Sequence, residues 1–305
     1  MAVDRACFAL LDHQLPNAMF LEHEFATDDA ILGYVEGPAS GPPLLLLHGV
    51  TRCWQDFAPL LPALAARWQI YGLDFRGHGR SRQTAAGYRV VDYAREAVRF
   101  LREQIARPAV VLGHSLGAMV ASHVASHAPE HVIAAVLEDP PFETLGERIR
   151  ETHFHAFFSG MQALIKERRS VPELVAALAQ LPVTGEANGP RLGDARDAAS
   201  LRFSARCLSK LDPAVLEPLV EGRWLEDYRQ QQVLTGISCP MLLLQADMQA
   251  GGMLTDEDAG QVDRLVGDCT TVRFANVGHL IHWDDMPRML RAVLGFLESV
   301  DWDRS

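Results

Sequence analysis

The chain has 305 residues, 48% hydrophobic and 22% charged, which is enough to bury one large core. Its 39 acidic against 28 basic residues leave a formal net charge of −11, which argues against a nucleic-acid partner or an acidic membrane surface. No stretch approaches the ~20 apolar residues that span a bilayer, and Met1-Ala2-Val3-Asp4-Arg5 leads into no long apolar region, so neither a membrane segment nor a signal peptide is expected. Cys7, Cys53, Cys207, Cys239 and Cys269 are scattered, without C-x-x-C spacing, and read as reduced thiols of a cytoplasmic protein.

Two strands are expected first, around Met19–Phe25 and Ile31–Glu36, with Asp28-Asp29 as the turn between them. Pro42-Pro43 then introduces Leu44–Leu47, a continuous apolar run that suits a strand buried on both faces. A helix is predicted from Cys53 to Arg67, then a strand at Gln69–Leu73 and a helix at Asp92–Ile105. The strand Ala109–Leu112, a helix to His127 and the strand Val132–Leu137 continue the alternation, which predicts a parallel sheet with helices on both faces. From Pro141 to Cys239 only helical patterns follow, broken between Pro182 and Gly193. The strand Met241–Gln245, a helix near Asp256–Val266, the strand Thr271–Phe274 and a helix at Met286–Glu298 resume it. The expected organisation is one α/β core, residues 1–140 and 240–305, interrupted by a helical lid at residues 141–239.

The chemistry centres on Gly113-His114-Ser115-Leu116-Gly117, set between a buried strand and a helix. Such a turn reverses so sharply that the residues two away on each side must be very small. It presents the serine oxygen above a helix N-terminus, where developing negative charge is stabilised. A serine hydroxyl is a poor nucleophile near neutral pH and needs a base. His279, in the loop after the last strand, fits that place, with His282 as its rival. The base needs a carboxylate to fix its tautomer. Asp247 follows the strand Met241–Gln245 and gives the order Ser, Asp, His. Asp139 and Glu138 compete, because they end the strand beside the serine turn. The two donors for an oxyanion are expected from the N–H groups of Leu116 and of Val50, in the loop His48-Gly49-Val50-Thr51, with His48 as a brace. Asp74–Ser81 is Gly-rich but lacks the Lys-Ser/Thr ending of a phosphate loop, and reads as structural.

His48-Gly49, the Asp74–Ser81 loop, Gly113–Gly117, Asp247 and Gly278-His279, in this order, make the chain resemble the α/β-hydrolase superfamily along almost its whole length. The resemblance implies a mostly parallel, doubly wound sheet, with residues 141–239 as a helical cap over the site. In many members the acid lies a few residues further past its strand, where this chain has Met248-Gln249-Ala250-Gly251-Gly252. Serine at the turn separates the chain from relatives with aspartate there, such as epoxide hydrolases and haloalkane dehalogenases. The expected activity is hydrolysis of a carboxylic ester or lactone through an acyl-enzyme, with no cofactor and no metal. Relatives using the same machinery cleave C–C bonds, thioesters or amides, and some keep the triad as slow-turnover receptors. His123, His127 and His131 have helical spacing but no acidic partner, and read as ordinary helix residues. Phe154, Phe157, Phe158, Met161 and Leu164 form an apolar stripe. Phe154, Phe158 and Trp224 are candidates to line a pocket for a small hydrophobic substrate.

Overall fold

The computed structural model describes residues 20–85, 87–184 and 189–301. The expectations for Met1–Arg5, for Cys7 and for Met19 as a strand start fall outside those residues.

Eight strands form one sheet in the order β1-β2-β4-β3-β5-β6-β7-β8. They are β1 (Leu21–Ala26), β2 (Ile31–Glu36), β3 (Pro43–Leu47), β4 (Gln69–Leu73), β5 (Ala109–His114), β6 (Val132–Glu138), β7 (Met241–Ala246) and β8 (Cys269–Phe274). The pairs β1–β2 and β2–β4 are antiparallel, and every pairing from β4 through β3 to β8 is parallel. The central strands are buried at every position, as their unbroken apolar runs require. Side chains of a strand alternate between faces. Leu45, Leu47 and Val111 accordingly join one core cluster, while Leu44, Leu46, Val110 and Leu112 join the other.

The first cluster packs under α2 (Val90–Phe100) and α3 (Leu116–His127). The second packs under α1 (Leu61–Leu64) and the C-terminal helix Met286–Ser299. The long helix predicted over 53–67 is instead a 3-10 turn, Trp54–Phe57, followed by the single turn α1. Pro59 and Pro62 lack the N–H groups that a continuous helix needs. The helix predicted to Ile105 ends as a π turn, Leu101–Ile105, closed by Ala106 in the left-handed conformation.

Between β6 and β7 the described residues hold helices and one isolated bridge, Pro182 to Arg191. The helices are α4 (His153–Lys166), α5 (Val171–Ala179), α6 (Leu192–Ala195), α7 (Ala198–Leu208), α8 (Glu217–Val220) and α9 (Gln230–Thr235), with short 3-10 turns among them. Phe154, Phe158, Met161, Leu201, Leu208 and Trp224 continue the first core cluster, so the inserted helices share one apolar interior with the α3 side of the sheet. After β7 come α10 (Asp256–Leu265), α11 (Ile281–Asp284) and α12 (Met286–Ser299). No helix among the described residues is long and apolar enough to cross a membrane.

Candidate active site

Ser115 sits between β5 and α3 at φ 55°, ψ −116°, in a region that non-glycine residues rarely occupy. Such a conformation costs about 1–3 kcal/mol and persists only where its surroundings impose it. Here the Ser115 N–H donates to the Glu138 carbonyl at 2.9 Å, and the Ser115 carbonyl accepts from Ala118 and Met119. The flanking glycines are required by space. A Cβ on Gly117 would lie 1.8 Å from the Leu47 carbonyl oxygen, and one on Gly113 would lie 2.0 Å from the Gly117 carbonyl oxygen. Ser115 is 1% exposed.

The loop after β3 runs against this turn. At Gly49 the missing Cβ would stand 3.3 Å from the Ser115 Cβ, so the backbone at 49–50 approaches the serine closely. Buried histidines brace that loop. The His48 Nε2 accepts the Phe75 N–H at 3.1 Å, and its Nδ1 donates to the Gly49 carbonyl. Burial lowers the His48 pKa to about 4 and that of His78 to about 3, so both are neutral. Asp74 accepts the Trp54 and Arg80 N–H groups, which braces the Asp74–Ser81 loop. Leu116 opens α3, so its N–H belongs to the first turn, which has no acceptor within the helix.

The His279 Nδ1 meets Asp139 Oδ2 at 2.6 Å. Asp139 is the competing acid of the sequence reading, and the structure brings it to His279 in place of Asp247. The cause is strand order. β6 adjoins β5, with His114 opposite Glu138, so the residue after β6 emerges level with Ser115. Asp139 has φ 44° and is fully buried. Its carboxylate also accepts N–H groups from Ala246, Met253 and Leu254. Asp247 turns away. It caps a short turn by accepting the Gln249 N–H at 2.9 Å and the Asn276 N–H at 2.8 Å. Those two bonds hold its carboxyl below the usual range.

Glu138 and His282 form a second pair beside the first. The His282 Nδ1 lies 2.8 Å and 2.9 Å from the two Glu138 oxygens, and the His282 N–H also donates to Glu138. On its other edge, His282 Nε2 is 3.4 Å from Asp56 Oδ2. Asp56 Oδ1 accepts from Arg52 and from the Trp283 indole. Burial would discharge His282, but Glu138 and Asp56 outweigh it and raise the pKa to about 9. Burial likewise opposes the Asp56 charge, yet Arg52 and then His282 keep its carboxyl well below the ordinary value. His114 stands between the histidines, its ring centroid 4.6 Å from that of His279 and 4.9 Å from that of His282. Its Nε2 donates to the His279 carbonyl at 3.1 Å. Asp56, His114 and His282 are the group of donors among the described residues compact enough to hold a metal ion. His282 lies between Asp56 and Glu138, whose charges favour its protonated form. His123 and His127 stack at 3.8 Å and take no part in it.

Residues 44–293 match the Alpha/beta hydrolase family. The chain belongs to that family. Among its curated relatives are lipase LipV of Mycobacterium tuberculosis (38% identical over 38% of this chain and 43% of the relative) and 2-(acetamidomethylene)succinate hydrolase of Mesorhizobium japonicum (36% identical over 36% and 40%). The chain therefore matches less than half the length of these proteins. Two solved structures share the fold across nearly the whole of this alpha/beta hydrolase. One is E-2-(acetamidomethylene)succinate hydrolase, with TM-score 0.71, 21% identity, and coverage of 92% of this chain and all of that one. The other is carboxylesterase CesB of Bacillus subtilis, with TM-score 0.67, 20% identity, and coverage of 91% of each chain. Sequence reasoning preferred Asp247 as the acid, with Asp139 and Glu138 as alternatives, and overlooked the Arg52–Asp56–His282–Glu138 chain. The signal for that chain was present in the adjacent acids Glu138-Asp139 and the histidines three apart, His279 and His282. Phe154, Phe158 and Trp224 are all buried in the shared cluster, Trp224 completely, and its carbonyl accepts the Val90 N–H. A cleft of about 220 Å³ lies at the opposite end of the strands from Ser115, lined by Pro108, Pro129, Cys239 and Pro240.

Proposed function

We propose that this alpha/beta hydrolase cleaves a carboxylic ester or lactone through an acyl-enzyme. Ser115 attacks the carbonyl carbon while His279 Nε2 takes its proton. Asp139 holds the His279 Nδ1–H and stabilises the imidazolium. The N–H groups of Leu116 and Val50 hold the tetrahedral oxyanion. Its collapse expels the alcohol, which takes the proton from His279. His279 then activates water against the acyl-enzyme, and the acid leaves with Ser115 restored. The 2.6 Å bond from His279 to a buried carboxylate, one residue past the strand beside the serine turn, carries this reading.

In this reading residues 141–239 form a cap over the Ser115 side of the sheet, and residues 1–140 with 240–305 form the core. Phe154 and Phe158 give the cap an apolar wall, which favours small hydrophobic substrates. The four cysteines of the described residues are free thiols, which suits a cytoplasmic, reducing setting. Amide cleavage is a second reading. It is favoured by two relatives whose names carry nitrogen-bearing acids, the 2-(acetamidomethylene)succinate hydrolase and the N-formylmaleamic acid deformylase, the latter with TM-score 0.71. Hydrolysis of matched p-nitrophenyl esters, lactones and N-acyl amides by the purified protein, with and without Ser115→Ala, tests both. Turnover confined to amides would overturn the ester reading.

A further inference from the structure

The cysteines look unrelated in the sequence, yet two of them meet. Cys53 Sγ and Cys207 Sγ stand 3.4 Å apart, although 154 residues separate them. Both are buried, at 7% and 4% exposure. Cys53 lies three residues after Val50, on the loop that approaches Ser115. Cys207 lies in the last turn of α7, in the inserted helices. The surrounding contacts seat α7 on that loop. Arg52 donates to Ser204 Oγ at 2.9 Å, its guanidinium lies 4.8 Å from the Phe203 ring centroid, and Phe203 packs on Trp283. Arg196 and Asp284 form an ion pair at 2.9 Å.

We propose that Cys53 and Cys207 are an oxidisable pair, joined by peroxide into a disulfide that locks the inserted helices over Ser115. It rests on the reading of those helices as a cap above a catalytic Ser115. Ser115 is 1% exposed, and on that reading substrate reaches it when these helices move. A covalent bond between α7 and the loop after Val50 opposes that movement directly. The chemistry balances with a hydroperoxide as oxidant. One thiolate attacks the peroxide, a sulfur–oxygen bond forms, the O–O bond breaks, and an alcohol or water leaves. The second sulfur attacks the resulting sulfenic acid, the S–S bond forms and water departs. The two sulfurs lose two electrons and the peroxide gains them. The sulfurs stand 3.4 Å apart, against a bonded distance of about 2.05 Å. The hydrogen bond to Cys207, and then burial, push the Cys53 thiol well above its ordinary value.

The test uses the full chain treated with hydrogen peroxide and then with dithiothreitol. Mass spectrometry should show a loss of two hydrogens and a peptide joining Cys53 to Cys207. Ester hydrolysis should fall at least tenfold and recover with the thiol. Proteolysis within residues 141–239 should slow in parallel, a readout that needs no substrate. Cys207→Ser should keep the reduced activity within about twofold and lose none of it to peroxide. Absence of the joined peptide, a joined peptide with unchanged activity and proteolysis, or equal inactivation of Cys207→Ser would each overturn the proposal. Reduced enzyme that hydrolyses no ester, yet gains the joined peptide and the slowed proteolysis, would sink the ester reading and leave the lock standing.

Discussion

Replacing Asp139 by asparagine separates the two candidate acids and does so with a calculable effect. Asp139 Oδ2 faces two donors, His279 Nδ1 at 2.6 Å and the Met253 N–H at 2.8 Å, while Oδ1 accepts from Ala246 and Leu254. In Asp139→Asn the amide oxygen keeps the Oδ1 bonds, and its NH₂ group takes the Oδ2 position. There it donates to His279 Nδ1, which forces the ring proton onto Nε2. That nitrogen can then no longer accept the Ser115 proton, a tautomer error that costs about 10⁴ in kcat in a serine triad. The expected loss corresponds to about 5.5 kcal/mol of transition-state stabilisation. The same NH₂ group opposes the Met253 N–H and leaves it buried without an acceptor, at about 1–3 kcal/mol of stability. Asp247→Asn disturbs the acceptor of the Gln249 and Asn276 N–H groups and leaves the His279–Asp139 bond in place, so its kcat should stay within about threefold of the parent. Initial rates on a p-nitrophenyl ester, with urea unfolding of each variant, measure both effects. A nearly fully active Asp139→Asn beside an inactive Asp247→Asn would refute the assignment and the geometry behind it.

Ser115→Ala should fold normally and lose at least about 10³ in ester hydrolysis. A fluorophosphonate probe that labels another serine, with Ser115 unmodified, would end that assignment. Gly117→Ala places a methyl group against the Leu47 backbone, so thermal unfolding should show a loss of about 4 kcal/mol or an insoluble product. A Tm within 2 °C of the parent, as a rough bound, would contradict the packing at the turn. His282 has its pKa raised from 6.5 to about 9, so its share of stability is complete below about pH 6.5 and is lost as the pH rises to about 9. The loss should reach about 3 kcal/mol in urea titrations across that interval. The lowered values of His48 and His78 act in the opposite sense and only below pH 6.5, so a flat profile from pH 6.5 to 9 would refute the ion-pair chain. The proposed apolar cap wall at Phe154 and Phe158 predicts that a neutral ester outperforms its carboxylate-bearing analogue in kcat/KM. A preference of more than about tenfold for the anion, worth roughly 1.4 kcal/mol, would point to a basic anchor instead.

Most of the architecture is legible in the chain because the central strands are buried on both faces. Such strands must be continuously apolar, so Leu44–Leu47 and Ala109–Leu112 announce themselves without any tertiary information. The serine turn is equally legible. Its glycines answer to backbone clashes under 2.1 Å, which no other residue type can relieve. The errors arise where the outcome depends on how elements meet. Apolar spacing at 53–67 suggested one helix, whereas Pro59 and Pro62 divide the segment into two short turns. The Cys53–Cys207 contact depends on where α7 docks, and spacing along the chain carries no trace of that.

The partner of His279 shows the same limit most sharply. Asp139 and Asp247 both follow buried parallel strands, so local sequence treats them alike. What separates them is lateral position: β6 lies next to β5, while β7 lies one strand further out. At that distance Asp247 serves the backbone of residues 249 and 276, and Asp139 takes the histidine. The left-handed turn at Asp139 also explains why two adjacent acids serve different partners. Glu138 ends β6 in extended geometry and reaches His282, while the reversal at Asp139, φ 44°, aims its carboxylate at His279. Two acids one residue apart thereby hold two histidines three residues apart. The second pair fixes the turn that carries the first, because the His282 N–H and ring both bind Glu138. His114 completes the clamp by donating to the His279 carbonyl from the residue preceding Ser115. Ser115, His279 and Asp139 are thus tied to one another through their immediate chain neighbours as well as through the His279–Asp139 bond.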